Sequence, residues 1–344
     1  MSVNPLGHVC IVMMSAVGDA VHVLPVINAI RRASPASRIT WVLQPGPATL
    51  VRGHPAVDDI ILFDRSQGAA GMREVISELR SREFDLLIDL QVYFKAGVIT
   101  AFSGAKRRLG FDRARARDAN WLFTTERIPA HPVQHVQDQY FEFLEHLGII
   151  SVPIQWGLAP RGAELAWQKD FVSQFDRPIA SIVVATSKPA KDWIPARWAE
   201  VADILYEKHG MQVVLAGGNS DRERHAADSI IASARHKPHS ALGSGLRNLV
   251  SILDASELVL SPDTGPLHIS VALDRPVISL MGYTDPRRTG PYRRFHDLII
   301  DAFHDEGETG PVTMATKQDR MERITVADVE AKLEIWAERY RGKS

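Results

Sequence analysis

Three loops of this chain place acid, base or anion-binding groups directly after an apolar run. The first, residues 15–20, reads Ser-Ala-Val-Gly-Asp-Ala and places Asp19 where a helix is predicted to begin. Aspartate in such a position is commonly a helix cap, because its side chain accepts hydrogen bonds from unsatisfied backbone N–H groups. The alternative is a carboxylate at the carboxyl end of a strand, where it could take a proton from an attacking hydroxyl group. The residues alone leave both interpretations open.

The second loop, residues 185–198, is rich in hydroxyl and ammonium groups. Thr186 and Ser187 can donate hydrogen bonds to phosphate oxygens, and Lys188 or Lys191 can neutralise phosphate charge. One loop lysine is usually only a solvated charge. Two lysines and two hydroxyl groups at the end of one strand favour an anion site.

The third loop, residues 263–268, reads Asp-Thr-Gly-Pro-Leu-His and leads into a predicted helix. Backbone N–H groups at a helix start lack partners, so Thr264 and Gly265 lie at a potential anion site. Asp263 would be repelled by phosphate and is therefore expected to contact sugar hydroxyl groups. His268 falls in the first helical turn, where it is either a structural side chain or part of the site.

A fourth stretch, residues 106–117, holds six basic residues and one acidic residue in a chain whose net charge is −1. Such a run is often only a solvated surface. The alternative is a site for an acidic, phosphate-bearing substrate, because arginine side chains bind phosphate in a bidentate manner. On that interpretation Arg113 and Arg117 are candidates for acceptor binding.

Several common motifs are absent from the sequence. It has no phosphate-binding P-loop, no His-Glu-x-x-His zinc motif and no Asp-x-Asp pair of the kind that holds a metal on a sugar nucleotide. The glycine pattern at 243–248 lacks the third glycine of a dinucleotide-binding fingerprint. These absences predict that no metal and no nicotinamide cofactor take part.

Composition is that of a soluble globular protein, with 45% hydrophobic and 24% charged residues among 344. The net charge gives no reason to expect nucleic acid, and the single cysteine, Cys10, suits a buried position. No apolar run reaches the length of a membrane span, and no signal peptide is recognisable. The expectation is a cytoplasmic protein, with peripheral contact at the cytoplasmic face of the inner membrane left open.

The elements that must position these loops alternate between short apolar runs and helical patterns in both halves of the chain. This alternation predicts an α/β protein with two doubly wound parallel sheets. A stretch rich in proline and glycine, residues 151–162, is the expected linker. In open parallel sheets, ligands bind at the carboxyl ends of the strands, which is where the three loops are predicted to lie.

Taken in order, these motifs resemble those of the ADP-heptose:lipopolysaccharide heptosyltransferases, glycosyltransferase family nine. The resemblance rests on residues 15–25, 191–198, 263–268 and 275–286, and it spans nearly the whole chain. It implies a GT-B fold with three segments: an acceptor-binding Rossmann-like domain at 1–155, a nucleotide-sugar-binding Rossmann-like domain at 163–324, and a helix at 325–344 that packs back towards the first domain.

The resemblance also implies roles for single residues. Asp19 corresponds to the general base, and Lys191 to the lysine that stabilises the departing diphosphate. The implied donor-binding residues are Thr186, Ser187, Lys188, Glu223, Asp263, Thr264, Gly265 and His268. Glu223 corresponds to a carboxylate for the ribose, Asp263 would hold the donor sugar, and Arg117, with Arg113 beside it, corresponds to a contact with acceptor phosphate.

The function expected from this resemblance is inverting, metal-independent transfer of a sugar onto a lipopolysaccharide inner-core acceptor. The sugar would be heptose from ADP-heptose, which is a substrate, so no cofactor is expected. The partners are then a nucleotide sugar and an anionic glycolipid, with no nucleic acid and no obligate protein partner. The alternatives are a glycosyltransferase with another donor or acceptor, a nucleotide-sugar epimerase, an NAD-dependent dehydrogenase, and a non-enzymatic anion-binding module.

Overall fold

The computed structural model describes residues 6–342, which form two compact units. The first unit runs to Pro132 and resumes at Val136–Gly157; the second comprises Val133–His135 and the chain from Leu158 onward. The sequence pattern did not predict that the short segment Val133–His135 belongs with the second unit.

The first unit is a six-stranded parallel sheet with helices in its connections. Its strands are β1 His8–Val12, β2 Arg38–Leu43, β3 Asp59–Leu62, β4 Leu86–Asp89, β5 Arg107–Gly110 and β6 Glu126–Arg127. Its helices are α1 Val17–Ala33, α2 Pro45–Val51, α3 Gly68–Arg80, α4 Phe94–Phe102 and α5 Val136–His146. The strand order is β3-β2-β1-β4-β5-β6, and all pairs are parallel.

The second unit repeats this plan. Its strands are β7 Ile179–Val183, β8 Gln212–Ala216, β9 His239–Ser240, β10 Ser256–Pro262, β11 Val277–Met281 and β12 Ile299–Asp301. Its helices are α6 Ala163–Val172, α7 Pro195–Glu207, α8 Asp221–Ser233, α9 Leu246–Ala255, α10 Gly265–Ala272, α11 Pro286–Thr289 and α12 Val326–Arg339. The order β12-β11-β10-β7-β8-β9 is that of the first sheet read from the other edge.

The central strands are buried on both faces, as parallel sheets covered by helices require. Strands β7 and β11 are buried along their whole lengths, and β1 is buried from Val9 to Val12. These strands stand out in the sequence as near-continuous apolar runs, which is why their positions were predicted correctly. The predicted α/β class with two doubly wound parallel sheets is confirmed.

The strand order changes direction between β1 and β4 in the first sheet and between β10 and β7 in the second. At such a switch point, neighbouring connections leave towards opposite faces and open a crevice at the carboxyl ends of the strands. The loops that follow β1, β4, β7 and β10 therefore begin where each sheet is best able to bind a ligand.

Helix α12 packs against α7, β11 and β12 of its own unit. Its Val329, Leu333 and Trp336 are fully buried. The packing of this helix towards the first unit stays a prediction. None of the helices in residues 6–342 is long and apolar enough to cross a membrane.

Candidate functional site

The residues predicted to bind the donor phosphates lie in the loops after β7 and β10 of the second unit. These two strands are parallel neighbours, with Leu260 opposite Ile182. Asp263 follows β10 directly, and Lys191 ends a short 3₁₀ turn after β7. Pairing of the strands thus brings together two residues that are 72 positions apart.

Lys191 and Asp263 form a nearly buried ion pair. Lys191 Nζ lies 2.6 Å from Asp263 Oδ2 and also donates to the Asp263 carbonyl oxygen at 3.2 Å. The side chains are 16% and 7% exposed, so little water competes with the pair. The lysine therefore stands at a defined point beside the start of α10.

Other polar groups surround the Asp263 carboxylate. His268 Nε2 lies 3.7 Å from Oδ1, while the hydroxyl groups of Thr284 and Thr289 donate to Oδ2, the latter at 3.2 Å. Burial by itself would raise the pKa of Asp263. The neighbouring His268 ring and the charge of Lys191 outweigh it and hold that pKa below its usual range. Asp263 is thus a fixed anion that positions Lys191.

Helix α10 begins beside this pair. Thr264 is its N-cap residue, in an extended conformation, and no hydrogen bond from the cap side chain closes the helix start. Gly265 and Pro266 form the first two helical positions, so the first turn presents a backbone N–H that the helix itself does not use. Together with the Lys191 ammonium, this is a suitable environment for phosphate.

The loop after β7 is shaped by Thr186. Its hydroxyl donates to the Lys188 carbonyl at 2.7 Å, and its own N–H donates to Asp192 at 2.7 Å. Thr186 is buried, whereas Ser187 and Lys188 are exposed. The Thr186 hydrogen bonds therefore support the loop. The Lys188 side chain is exposed to solvent, whereas the Lys191 side chain is mostly buried.

Several residues that complete this site were not predicted from the sequence. Tyr283 lies under both lysines, its ring centroid 5.5 Å from Lys188 Nζ and 5.8 Å from Lys191 Nζ. Arg222 pairs with Asp192 at 3.1 Å and donates to the Thr186 carbonyl. Residues 282–286 carried part of the family resemblance, which was the available signal for the tyrosine and for Thr284 beside it.

Glu223 forms part of the start of α8. Its carboxylate accepts hydrogen bonds from the Gly218 N–H at 2.6 Å, the Ser220 N–H at 3.0 Å and the Ser220 hydroxyl group. Burial alone would raise the pKa of Glu223, but these donors lower it. A Cβ atom at Gly218 would meet the carboxylate at 2.8 Å, so a side chain there would displace the Glu223 carboxylate from this position. The arrangement is a capping box, and ribose binding by Glu223 stays a prediction.

Asp19, in the first unit, lies in the first turn of α1 directly after β1. The helix begins at Val17 with Ala16 as its N-cap, so Asp19 is the third helical residue and not the N-cap itself, but its carboxylate still caps the helix start. The carboxylate accepts a hydrogen bond from the Ala16 N–H at 2.8 Å on Oδ2, and Tyr140 Oη lies 3.4 Å from Oδ1. Asp19 is partly exposed, so a substrate hydroxyl group can reach it.

The basic run at 106–117 is mostly tied into the first unit. Arg107 forms a bidentate pair with Glu126 at 2.7 and 2.9 Å, and Arg115 bridges Asp112 and Glu142. These pairs hold β5 and the following loop in place.

The two arginines predicted to bind the acceptor lie in that loop and are exposed. The Arg113 guanidinium stacks 4.5 Å from the Trp121 ring centroid. The Arg117 backbone N–H donates to the Val92 carbonyl at 2.8 Å, which ties the loop to the chain after β4. Acceptor binding by Arg113 and Arg117 stays a prediction.

No three His, Cys, Asp or Glu side chains within residues 6–342 come together as a metal site. Metal independence nevertheless stays a prediction, because a substrate can bring its own cation. The Lys191 ammonium and the start of α10 are groups of the protein itself that could stabilise a phosphate.

Comparison with known proteins agrees with this arrangement. The family described as glycosyltransferase family 9 (heptosyltransferase) matches residues 72–307. A Haemophilus influenzae protein named lipopolysaccharide core heptosyltransferase OpsX is 31% identical over 291 residues, 84% of this chain and 83% of that protein.

Solved structures share the fold. A glycosyltransferase family 9 protein from Veillonella parvula superposes with a TM-score of 0.83 at 21% identity, covering 96% of this chain and 97% of that one. The E. coli heptosyltransferase WaaC, solved with ADP, gives a TM-score of 0.74 at 23% identity, covering 97% and 99%. The chain belongs to glycosyltransferase family 9, the heptosyltransferase family, and is a glycosyltransferase with a GT-B fold.

Proposed function

We propose that this enzyme transfers heptose from ADP-heptose to an inner-core acceptor of lipopolysaccharide, with inversion and without a metal ion. The observation that carries the proposal is the position of Lys191, held by Asp263 beside the start of α10. The relatives named as lipopolysaccharide heptosyltransferases support the acceptor class, and the E. coli structure solved with ADP supports the nucleotide.

In the proposed reaction an acceptor hydroxyl oxygen attacks the anomeric carbon of the donor sugar. The bond between that carbon and the diphosphate oxygen breaks on the opposite face, so the configuration inverts. Asp19 takes the hydroxyl proton, and ADP leaves with the electron pair of the broken bond. General-base assistance of this kind typically contributes about 10²–10⁴ in rate.

Negative charge grows on the diphosphate as the bond breaks. The Lys191 ammonium and the backbone N–H groups at Thr264 and Gly265 are proposed to meet that charge. Because these groups are already oriented, they stabilise the transition state without reorganisation. Loss of one such donor typically costs about 10²–10³ in kcat.

The donor nucleotide is tested most simply by thermal stabilisation. ADP, UDP and GDP are each added to the wild-type enzyme with EDTA present, and the melting temperature is compared with that of the free protein. ADP alone is expected to raise it, because a ligand at about 100 times its Kd adds roughly 2.7 kcal/mol of stability. A shift with UDP or GDP but not ADP would contradict the proposed donor.

An epimerase would consume donor without acceptor, whereas a transferase requires both substrates. ADP-heptose is therefore incubated with enzyme alone and with delipidated inner-core acceptor. We expect ADP release only in the second reaction. Conversion of the donor sugar in the acceptor-free reaction would contradict the proposal.

A further inference from the structure

The first unit carries a group of exposed apolar side chains that have no assigned part in the proposed transfer reaction. Tyr93, Phe94, Phe102 and Leu122 are 52%, 51%, 47% and 61% exposed. Large apolar residues at this exposure are ordinary when single, but a contiguous set marks an interaction surface. We call these four residues the aromatic face.

Helix α4 provides most of this face. Phe94, Val98 and Phe102 are spaced by four residues, so they lie along one side of the helix. The other side, with Ala96 and Ile99, is fully buried against the sheet. Phe94, Val98 and Phe102 therefore point away from the sheet because the opposite side of α4 packs against it.

The 3₁₀ turn Asn120–Phe123 adds Leu122 to the same surface. The Phe123 ring meets Phe94 edge-on, with ring centroids 5.5 Å apart, and a side chain at Gly97 would overlap it. Asn120 donates to the Tyr93 carbonyl at 3.1 Å and to buried Asp89 at 3.0 Å. The two segments therefore form one fixed surface.

The stretch of chain that carries the aromatic face is rich in basic residues. Residues 91–127 contain eight basic and three acidic side chains, a net charge of +5, whereas the whole chain carries −1. Two of those acids, Asp112 and Glu126, are paired with arginines of the same stretch, and Asp118 is the third. Outside the stretch, Asp85 pairs with Lys106 and Glu142 with Arg115, so the unopposed basic side chains are fewer than the count suggests.

Individual basic side chains lie against the aromatic rings. The Arg113 and Arg127 guanidinium groups lie 4.5 and 5.9 Å from the Trp121 ring centroid. Arg80 lies 5.6 Å from the Phe102 centroid, and exposed Lys95 follows Phe94 in the chain. Cations are therefore interleaved with aromatic side chains.

This combination fits an anionic bilayer surface. Aromatic and leucine side chains enter the boundary between head groups and acyl chains, while Lys and Arg remain at the level of the lipid phosphates. Each basic residue near such a surface adds electrostatic attraction to the anionic lipids. We propose that the aromatic face and its surrounding basic residues dock the enzyme on an anionic phospholipid membrane. The inference concerns where the enzyme works and does not rest on the proposed donor, base or leaving-group contacts.

The test measures co-sedimentation of the full-length protein with phosphatidylcholine vesicles, with and without phosphatidylglycerol. The vesicles contain no glycolipid, so binding reports on the lipid surface and not on the acceptor. Wild type is expected to bind the anionic vesicles and to be released by salt, since exposed charges are screened. Failure of wild type to bind anionic vesicles would overturn the proposal.

Two variants localise the binding. The double variant Phe94→Ser, Leu122→Ser should weaken vesicle binding by about tenfold or more, because it removes two side chains that insert into the bilayer. The variant Lys95→Glu should weaken vesicle binding to a similar extent, because it replaces a positive charge with a negative one. The matched control is Leu165→Ser with Val172→Ser, which removes apolar side chains that are 52% and 37% exposed in the second unit. Equal losses in the control would overturn the assignment to this face.

Two further measurements distinguish docking on lipid from misfolding of the variant and from self-association. Transfer to a delipidated, water-soluble acceptor should be unchanged in the Phe94→Ser, Leu122→Ser variant, which shows that it folds. Size-exclusion chromatography of wild type should give the same elution volume as this variant. A wild-type dimer that the variant converts to a monomer, without vesicle binding, would mean that a second copy covers the face and would overturn the proposal.

Discussion

Lys191 and Asp263 join the loops that follow two neighbouring parallel strands, with Nζ of the lysine 2.6 Å from Oδ2 of the aspartate. The carboxylate holds the ammonium beside the start of α10, where we propose that the ammonium and the first N–H of the helix together stabilise the leaving diphosphate.

Replacing Lys191 with methionine should lower kcat about 10²–10³-fold, because the leaving diphosphate loses its cation. It should also lower the free energy of unfolding by about 3 kcal/mol, because Asp263 is left buried without its counter-ion. Adding Asp263→Asn should recover much of the stability but none of the rate. The exposed Lys169→Met serves as control in steady-state kinetics and urea unfolding. Recovery of activity in the double variant would contradict the assigned role.

Asp19→Asn should reduce kcat about 10²–10⁴-fold while ADP binding stays unchanged, because the amide cannot accept the proton. The asparagine oxygen can still accept the hydrogen bond from the Ala16 N–H, so the helix start is retained. Calorimetric titration with ADP and rate measurements test the two halves of this prediction. A variant with nearly normal kcat would rule out Asp19 as the base.

Thr284→Val should weaken ADP binding and lower stability by about 1–3 kcal/mol, because the buried Asp263 carboxylate loses a hydroxyl donor. Thr284→Ser keeps the donor and should restore both properties. The readouts are the Kd for ADP and the midpoint of urea unfolding. If serine behaves like valine, the hydroxyl group is not what matters at this position.

Asp89 should make the enzyme less stable as the pH rises. Burial raises the pKa of this carboxyl group to about 7. Hydrogen bonds that the carboxyl group accepts from Asn120, Gln91 and Thr100 act in the opposite direction and are outweighed. The unfolded chain therefore releases the proton near pH 4, whereas the folded chain keeps it until about pH 7. Between these values stability should fall by about 1 kcal/mol per pH unit.

The Asp89→Asn variant, which cannot titrate there, should lack this component of the pH slope. Urea unfolding from pH 4 to 8 compares the variant with wild type and with Asp221→Asn, an aspartate that is 83% exposed. Asp89→Asn should have a lower free energy of unfolding than wild type, because the new side-chain NH₂ group would face the hydrogen-bond donors that the carboxyl group now accepts from. An unchanged slope would show that Asp89 is ionised in the folded protein throughout.

The sequence predicted much of the fold because the central strands are uniformly apolar. It did not predict strands β5, β6, β9 and β12 or helices α2, α4, α6 and α11. Strand β5 begins with two arginines inside the basic run, and β6 has only two residues, so neither shows a strand pattern. Helix α4 is apolar on both its buried and its exposed sides, which hides the helical period.

The positions of candidate residues in the fold were predictable where a motif follows a strand, as with Asp19 in the first unit and Asp263 in the second; their roles stay predictions. Thr284 and Thr289 were not assigned roles, because their contacts with Asp263 span 21 and 26 residues and depend on how the loop after β11 folds back. The sequence could not predict which contacts Glu223 makes, for a different reason. A capping box and a ribose-binding carboxylate have the same sequence signature at a helix start.

The role proposed for Lys191 and the start of α10 is tested most directly by heptose transfer in the absence of divalent cations. Purified enzyme, ADP-heptose and delipidated inner-core acceptor are incubated with excess EDTA, and the acceptor is analysed by mass spectrometry. We expect the acceptor to gain one heptose at the same rate as in a parallel reaction with added Mg²⁺. Transfer that stops in EDTA and returns with Mg²⁺ would contradict this role, because the lysine and the helix start would then not suffice to stabilise the leaving diphosphate.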